Sequence, residues 1–251
     1  MNDQFHKKKY KASTRDWFNH WSNKYDQTLG KIGFHRELLD LIVRNSKVED
    51  CDNLLDIGCG TGLLSLKLLQ KADCSITGID NSKEMLVIFK EKMKVLALGQ
   101  KINCRLMDIE SLNFKNNTFD IAVSSVVLHH LQDKLAVLKK IYKFIKPGGV
   151  FVIGEIDMDS TGNHADAKRL QRMLRVLESE WIPALNDVGV EAFTQMYING
   201  IKHILNQGEY CVSLKQWAAI CRKAGFRSVT IKRTSHYKCF GIVVANKPAN
   251  K

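Results

Sequence analysis

Residues 55–64, LDIGCGTGLL, hold three glycines at alternate positions between an apolar run and a leucine-rich stretch, a segment that few folds use. The apolar run at residues 53–57 has the length of a buried strand, and residues 62–70 have helical spacing. Glycine is required where a backbone takes a positive φ or comes within contact distance of a ligand. A helix that begins beside such a turn presents backbone N–H groups without helical partners. The segment therefore predicts a strand–turn–helix unit that binds a ligand.

The spacing of these glycines narrows the kind of ligand. It is G-x-G-x-G, whereas dinucleotide-binding enzymes carry G-x-G-x-x-G. The position three after Gly60 is Leu63, so the third glycine comes one residue early. Because the dinucleotide loop is shaped around a pyrophosphate, the turn in this chain need not hold a phosphate. A nicotinamide-dependent oxidoreductase is therefore disfavoured.

Short apolar runs alternate with amphipathic segments through the middle of the chain. We expect strands at residues 53–57, 75–79, 102–106, 119–125 and 150–156, and helices at 62–70, 82–98 and 133–145. Ser82 is the expected N-cap of the second helix, and the KPGG run at 146–149 is expected to stop the third. Such alternation predicts a parallel sheet with helices on both faces.

The two ends of the chain have other patterns. Residues 1–50 predict N-terminal helices that cap the site, and residues 51–158 a cofactor-binding core. Helices expected at 164–185 and 191–206 make residues 159–210 a helical insertion, interpreted as a substrate lid over the carboxyl edge of the sheet. A helix at 214–224 and strands at 227–233 and 237–245 would complete the sheet within residues 211–251.

Composition excludes several classes of protein. The chain has 251 residues, of which 45% are hydrophobic and 25% charged, as expected for one large globular domain. No apolar run is long enough to span a membrane, and no apolar segment follows the basic N-terminus as in a secretory signal. The seven cysteines form no CxxC pair, so we expect a cytoplasmic protein without a metal site. Nothing in the pattern favours one oligomeric state over another.

The net charge is +12, and much of it lies near the C-terminus. Residues 201–251 contain ten lysines and arginines but one acid, Glu209. A basic surface attracts phosphate groups, including those of RNA. A lysine-rich soluble surface explains the same composition, so nucleic acid is an alternative partner that we do not favour.

Acidic side chains follow the second and third predicted strands. A carboxylate at Asp80, about 20 residues after the glycine turn, can accept hydrogen bonds from both hydroxyls of a ribose. Asp108 ends the third strand and is placed to accept from the amine of an adenine. Each acid has a plainer interpretation as a helix cap or turn residue. Together with the glycine turn, they favour an adenosine-containing ligand.

These segments resemble the class I S-adenosylmethionine-dependent methyltransferases, of the small-molecule type related to ubiquinone and menaquinone biosynthesis. The resemblance covers roughly residues 54–156 and rests on LLDIGCGTG, ITGID, LMDIESLNF, FDIAVSSVVLHHL and IKPGGVFVIGE. It implies an α/β, Rossmann-like fold whose seven-stranded, mostly parallel sheet has helices on both faces and an antiparallel last strand. It also implies S-adenosylmethionine as cofactor and a small-molecule methyl acceptor.

The resemblance assigns cofactor contacts to individual positions. The methionine part is expected at Asp56, Gly58, Cys59, Gly60, Thr61 and Gly62, the ribose at Asp80, and the adenine near Asn81, Met85, Asp108 and Ile109. Ser124 and Ser125 after the fourth strand are expected to line the site, and Tyr25 of the Tyr25-Asp26 pair to reach the cofactor. Asp56 has a second interpretation, in which it pins the glycine turn.

The acceptor side is predicted from positions near the carboxyl edge. His129 and Glu155 are candidate catalytic residues, since an acceptor that releases a proton early needs a general base. Trp21, His130, Asp157 and Tyr197 are candidate substrate contacts. Because alternate positions on a strand share a face, Glu155 and Asp157 are expected to point together. Each of these residues also has a plainer interpretation, in which it packs in the core, caps an element or faces solvent.

Two other functions stay open. An RNA or protein methyltransferase is favoured by the basic C-terminal stretch, but SSVVLHH stands where a [DN]-P-P-[YF] signature would follow the fourth strand. A cofactor-binding pseudoenzyme would keep the glycine turn and the acids without catalysis. We expect methyl transfer to a small molecule by in-line displacement.

Overall fold

The structure, a computed structural model, describes residues 2–163, 166–206 and 210–250, but not the side chains of residues 2–13, 203 and 206. Seven strands form one sheet: Asn53–Ile57 (β1), Ser75–Asp80 (β2), Ile102–Leu106 (β3), Phe119–Ser125 (β4), Ile145–Ile156 (β5), Arg227–Arg233 (β6) and Phe240–Asn246 (β7). Their order is β3-β2-β1-β4-β5-β7-β6. Strands β1 to β5 pair in parallel, and β7 runs antiparallel to both its neighbours. The predicted sheet is confirmed.

Within the described ranges the chain forms eight α-helices. They are Asn2–Tyr25 (α1), Gly33–Ser46 (α2), Leu63–Lys71 (α3), Lys83–Val95 (α4), Lys134–Phe144 (α5), Ala167–Val188 (α6), Val190–Asn199 (α7) and Leu214–Ala224 (α8). A π-helical segment, Gly200–Asn206, continues α7. Ser82 caps α4, because its hydroxyl accepts a hydrogen bond from the N–H of Met85 at 3.1 Å.

Successive residues of the central strands build the two halves of the core. Leu54 of β1 and Val152 of β5 pack in the half that includes α2 and α3. Leu55 and Phe151, one position along each strand, pack in the half formed with α5 and α8. Since alternate residues of a strand face opposite sides, both faces of the sheet are covered and its apolar runs are continuous.

The KPGG run does not separate α5 from β5 as expected. The strand begins at Ile145 rather than at residue 150, and Ile145 pairs with Phe119 of β4. The register shifts before Val150 pairs with Ile121. Gly148 has a φ of +85°, which glycine adopts without strain. The run is therefore a bulge inside the strand, not a stop before it.

Other bounds agree closely with the sequence. Strands β1, β3, β4 and β6 and helix α8 have the predicted limits. Helix α4 ends three residues earlier than predicted, and the expected helix start at residue 164 lies outside the described residues. Within the described part of the chain, no helix combines the length and apolar character needed to cross a membrane.

The insertion between β5 and α8 contributes to the carboxyl edge of the sheet. Glu180 of α6 and Met196 of α7 line the same cavity as Gly58 and Asp80, which follow β1 and end β2. This placement agrees with the expected insertion over the edge, while its role as a substrate lid stays a prediction.

Candidate active site

The cavity is lined by residues predicted to hold the methionine part, the ribose and the adenine of the cofactor. Its wall includes Gly58, Gly60, Asp80, Asn81, Met85, Asp108 and Ile109. They come from the ends of β1, β2 and β3 and from the first turn of α4. Parallel strands bring their carboxyl ends to one edge, so segments distant in sequence meet there.

The glycine turn has the backbone shape that its sequence predicted. Gly58, Gly60 and Gly62 have φ values of +70°, +51° and +83°. A Cβ on Gly58 would lie 2.4 Å from the Val127 side chain, so no larger residue fits there. A Cβ on Gly60 would meet no atom within 4 Å, since this residue borders the cavity. Its backbone is therefore open to direct contact with a ligand.

Asp80 links the turn to the helix that follows β2. One carboxylate oxygen accepts from the N–H of Gly60 at 2.9 Å, and the other accepts from the N–H of Ser82 at 2.9 Å. Burial raises the pKa of Asp80, against the lowering effect of these N–H groups. Each oxygen has a second lone pair, so the carboxylate can also accept from ribose hydroxyls.

Several predicted cofactor residues lie behind the cavity wall. Asp56 is buried and accepts a hydrogen bond from the Ser65 hydroxyl at 2.6 Å. Ser124 donates to the carbonyl of Ile57 at 3.0 Å. A Cβ on Gly62 would lie 2.2 Å from the Phe89 ring. These residues hold the turn in place, as the second interpretation of Asp56 proposed.

The side chains of Cys59 and Thr61, the remaining two residues of the turn, also lie behind the cavity wall. Cys59 is buried in a small apolar cluster with Phe89, and its N–H donates to the carbonyl of Ile79 at 3.0 Å. Thr61 is buried, and its hydroxyl donates to Asp26. Direct contact of either side chain with the cofactor stays a prediction.

Asp26 anchors the end of α1 to the glycine turn. It accepts from Thr61 and forms an ion pair with Lys92 of α4 at 2.6 Å. Lys92 also donates to the carbonyl of Thr61 at 2.8 Å. These contacts hold the neighbouring Tyr25 at the cavity wall. Burial, with smaller effects of Asp80 and Asp26, raises the pKa of Tyr25, so its hydroxyl stays protonated.

Three buried polar atoms on the cavity wall have no hydrogen-bond partner among the described residues. They are Nε1 of Trp21, Nδ1 of His35 and Oγ of Ser125. Burial lowers the pKa of His35 to about 4, so its ring is neutral near pH 7. Leaving a buried polar group unpaired costs about 1–3 kcal/mol. Polar atoms of a bound ligand would remove that cost.

His129, which follows β4, and Glu155 of β5 form a buried pair beside the cavity. Glu155 Oε2 lies 2.8 Å from His129 Nδ1. Its Oε1 accepts from the N–H groups of Val127, Leu128 and His129 at 3.1, 2.7 and 3.2 Å. Glu155 is 0% exposed, whereas His129 lines the cavity. The carboxylate therefore holds the imidazole rather than facing a ligand.

The expectation that Glu155 and Asp157 point together is wrong. Strand β5 ends at Ile156, so the alternation of faces does not extend to Asp157. Asp157 accepts from the N–H of Leu214 at 2.8 Å and pairs with Arg233. It caps α8 outside the cavity.

Of the other three residues predicted to contact the acceptor, two line the cavity and one does not. Trp21 and His130 line the cavity, and the His130 ring lies 4.1 Å from that of His129. Tyr197 does not line it: the side chain is 43% exposed and packs against Trp181, with ring centroids 4.9 Å apart. Tyr197 is thus placed to hold the outer side of α7 against α6.

Sequence reasoning missed Glu180, which is buried and lines the cavity. The sequence pattern could have indicated its burial, because Glu180 shares the buried face of α6 with Leu177, Trp181 and Ala184. An acid on the apolar face of an amphipathic helix is unusual unless it has a task there. His35 was missed because one histidine on a helical face carries no specific pattern.

The charged residues around the cavity suit a cationic ligand without phosphate. Among its described lining residues are Asp80, Asp108 and Glu180, but no lysine or arginine. Phosphate sites usually carry such cations. S-adenosylmethionine carries a sulfonium and an ammonium group and no phosphate. The open backbone at Gly60 and the unpaired Ser125 hydroxyl fit its polar groups.

Comparison with known proteins agrees with this geometry. A family model described as a methyltransferase domain matches residues 55–153. A ubiquinone/menaquinone biosynthesis C-methyltransferase from Geotalea daltonii is 30% identical over 126 residues, which are 49% of this chain and 54% of that protein. The protein of the same name from Rickettsia bellii is 27% identical over 228 residues, 87% of this chain and 86% of that protein.

A solved structure shows the same fold. The S-adenosylmethionine-dependent methyltransferase from Aquifex aeolicus superposes with a TM-score of 0.58 at 16% identity, covering 86% of this chain and 94% of that one. The chain thus spans about half of one curated relative and most of the other. Residues 55–153 thus match a methyltransferase domain, and the chain is similar to the methyltransferases of ubiquinone and menaquinone biosynthesis; these likenesses and the geometry of the cavity support S-adenosylmethionine as its cofactor.

Proposed function

We propose that this protein methylates a small, largely apolar acceptor, and that His129 takes the proton which the acceptor releases. The observation that carries the proposal is one continuous cavity. It is bordered by Gly60 and Asp80 at the cofactor end and by His129 and Glu180 further along. Donor and acceptor sites that share a cavity permit in-line displacement.

Positioning accounts for most of the expected rate enhancement. When bound, S-adenosylmethionine supplies a methyl group already activated for displacement by its sulfonium. The chain's task is to fix the acceptor near that methyl group, and orientation of this kind is worth about 7–11 kcal/mol in favourable cases. Trp21, Tyr25 and Phe18 from α1 line the cavity, and their apolar rings would help to exclude water from it.

The contact with Glu155 sets the chemistry of His129. A carboxylate 2.8 Å from Nδ1 favours the tautomer with hydrogen on that nitrogen, which puts the lone pair on Nε2. Nε2 can then accept a proton from the acceptor, and the negative charge of Glu155 stabilises the imidazolium that forms. Glu155 is thus a positioning residue, held by three backbone N–H groups.

The cavity wall favours one class of acceptor over another. Phe18, Phe34, Met196 and Phe240 give the acceptor region an apolar, partly aromatic surface. One relative is named for C-methylation in ubiquinone and menaquinone biosynthesis, and others for N-methylation of phosphoethanolamine. Because no lysine or arginine lines the described cavity, an aromatic acceptor fits better than a phosphorylated amine.

The proposal is tested with a panel of acceptors. Full-length protein is incubated with S-adenosylmethionine and, separately, with hydroquinones, phenols, amines, thiols, bulk tRNA and a protein mixture, and methylated products are measured by mass spectrometry. We expect product only with an aromatic small molecule. Labelling of tRNA or protein alone would support the RNA or protein alternative, and cofactor binding without any product would support a pseudoenzyme.

The role of the buried pair is tested with Glu155→Gln. Its amide nitrogen would face Nδ1 and reverse the tautomer, so we expect kcat to fall by about 10²–10⁴, the usual worth of general acid–base catalysis. Binding of S-adenosylhomocysteine should change little. Asp157→Asn is the matched control, since it makes the same type of change outside the cavity. Equal activity of Glu155→Gln and wild type would show that His129 is not the base.

A further inference from the structure

Two of the unpaired polar atoms on the cavity wall belong to rings that are almost fully buried. Trp21 of α1 is 5% exposed, and His35 of α2 is 4% exposed. Both residues line the cavity, and neither Nε1 of Trp21 nor Nδ1 of His35 has a hydrogen-bond partner among the described residues. Since roughly nine in ten buried polar groups are paired, two unpaired nitrogens on one wall point to a ligand.

Both rings pack against the same neighbour, Tyr25. The Tyr25 ring lies 5.3 Å from the Trp21 ring and 6.4 Å from the His35 ring, measured between centroids, and both contacts are T-shaped. Trp21 and His35 come from different helices, but a shared contact brings them together. The two unpaired nitrogens therefore belong to one part of the wall.

The chemistry of the two nitrogens indicates an oxygen atom as their partner. The indole Nε1 of Trp21 can only donate, and a neutral imidazole has one donor and one acceptor nitrogen. Burial lowers the pKa of His35 to about 4, so its ring is neutral near pH 7. Because no lysine or arginine lines the described cavity, a carboxylate there would lack a counter-charge. An uncharged carbonyl or hydroxyl oxygen fits better.

The two rings adjoin the aromatic part of the wall that the proposed function assigns to the acceptor. Phe34 directly precedes His35, and its ring stacks on that of Phe240 with centroids 4.5 Å apart. Phe18 lies three residues before Trp21 on α1, a spacing that places both on one face of the helix. All three phenylalanines line the cavity. An aromatic acceptor packed among them would have Trp21 and His35 beside it.

We infer that Trp21 and His35 form a subsite that binds one uncharged oxygen substituent of the acceptor, with Trp21 Nε1 donating to that oxygen. The inference rests on the proposed function, since it places the acceptor in the same cavity. It adds two positioning residues to the proposed base, His129, and it makes the oxygen substituent a determinant of specificity.

Two compounds of matched shape test the subsite without any need for turnover. Full-length protein loaded with S-adenosylhomocysteine is dialysed to equilibrium against 2-naphthol or 2-methylnaphthalene, in which a methyl group replaces the hydroxyl. We expect wild type to bind 2-naphthol at least about fivefold more tightly, as two hydrogen bonds would allow. His35→Phe and Trp21→Phe should each reduce this preference by about 2–10-fold, the worth of one hydrogen bond.

Two control variants make the same changes away from the subsite. His20→Phe replaces an exposed histidine of α1. Trp181→Phe replaces a tryptophan whose Nε1 donates to the carbonyl of Met196 at 3.1 Å. Both should keep the preference of wild type for 2-naphthol. His35→Asn keeps a polar atom near the position of Nδ1 and should recover part of the preference, which a merely structural role of His35 would not produce.

The affinity of each variant for S-adenosylhomocysteine distinguishes the acceptor from the cofactor as the source of the oxygen. We expect this affinity to change little. A large loss in both His35→Phe and Trp21→Phe would assign the two nitrogens to the carboxylate of the cofactor and overturn the inference. Equal binding of the two naphthalenes by wild type would also overturn it, while the proposed methyl transfer could still be confirmed with the acceptor panel. If wild type binds neither compound, the subsite fails together with the aromatic acceptor.

Discussion

Asp56, which is buried behind the glycine turn, allows a direct test of how a buried acid affects the stability of this protein. Its side chain is fully enclosed and makes one side-chain hydrogen bond, from Ser65. Burial raises the pKa of Asp56 from 3.8 to about 7, although Ser65 opposes this. The folded protein therefore holds a proton on Asp56 over a pH range in which the unfolded chain has released it. Replacement by asparagine imitates the protonated side chain and keeps an acceptor for the Ser65 hydroxyl.

The magnitude follows from the difference in pKa. One pKa unit corresponds to about 1.36 kcal/mol, so a rise from 3.8 to about 7 is worth about 4 kcal/mol. Because the folded-state pKa of this acid is raised, its contribution is fully present below pH 3.8 and is lost as pH rises to about 7. Asp56→Asn should thus match wild type near pH 4 and exceed its free energy of unfolding by up to about 4 kcal/mol near pH 8.

Guanidinium unfolding followed by circular dichroism at several pH values from 4 to 8 measures this difference. Asp120→Asn is a matched control, because Asp120 is partly exposed and paired with Lys146 at 2.8 Å. The control should show no gain that grows with pH. A constant difference between Asp56→Asn and wild type across this range would refute a proton held on Asp56.

His35 should make the free energy of unfolding change with pH in the opposite direction. Burial lowers its pKa from 6.5 to about 4. The stability that depends on a neutral His35 is present above pH 6.5 and is lost as pH falls to about 4. The loss is at most about 3 kcal/mol. As pH falls, wild type gains stability at Asp56 and loses it at His35, so the two effects offset each other. In Asp56→Asn only the effect of His35 is left, so its free energy of unfolding should fall more in acid than that of wild type.

Two further predictions concern the cofactor end of the cavity. Asp80→Asn should weaken S-adenosylhomocysteine binding by about 10²–10⁴, if two charge-assisted bonds to ribose worth about 1.5–3 kcal/mol each are lost; calorimetry measures this, and an unchanged affinity would exclude a ribose contact. Gly62→Ala should cost several kcal/mol in unfolding experiments, because φ is +83° and the new Cβ would lie 2.2 Å from Phe89. Gly99→Ala is its control, since a Cβ there meets no atom within 4 Å, and equal losses in the two would remove the steric argument.

Much of the core could be predicted because its signals are local. Residues 53–57 are an apolar run ended by glycines, and that pattern alone fixes a buried strand and the turn after it. Ser82 caps α4 through a contact three residues away. Hydrophobic periodicity and turn chemistry depend on near neighbours, so they can be read before the chain is folded.

Contacts between distant segments could not be predicted in this way. Glu155 meets the backbone near His129 only because β4 and β5 are neighbours in the sheet. Asp157 is drawn to α8 because β5 ends one residue before it. Glu180 enters the cavity only because α6 packs over the carboxyl edge. Residue types and their spacing thus determined which cofactor can be predicted for this chain. The packing of distant segments decided which side chains line the cavity, because side-chain direction depends on where each element ends and what covers it.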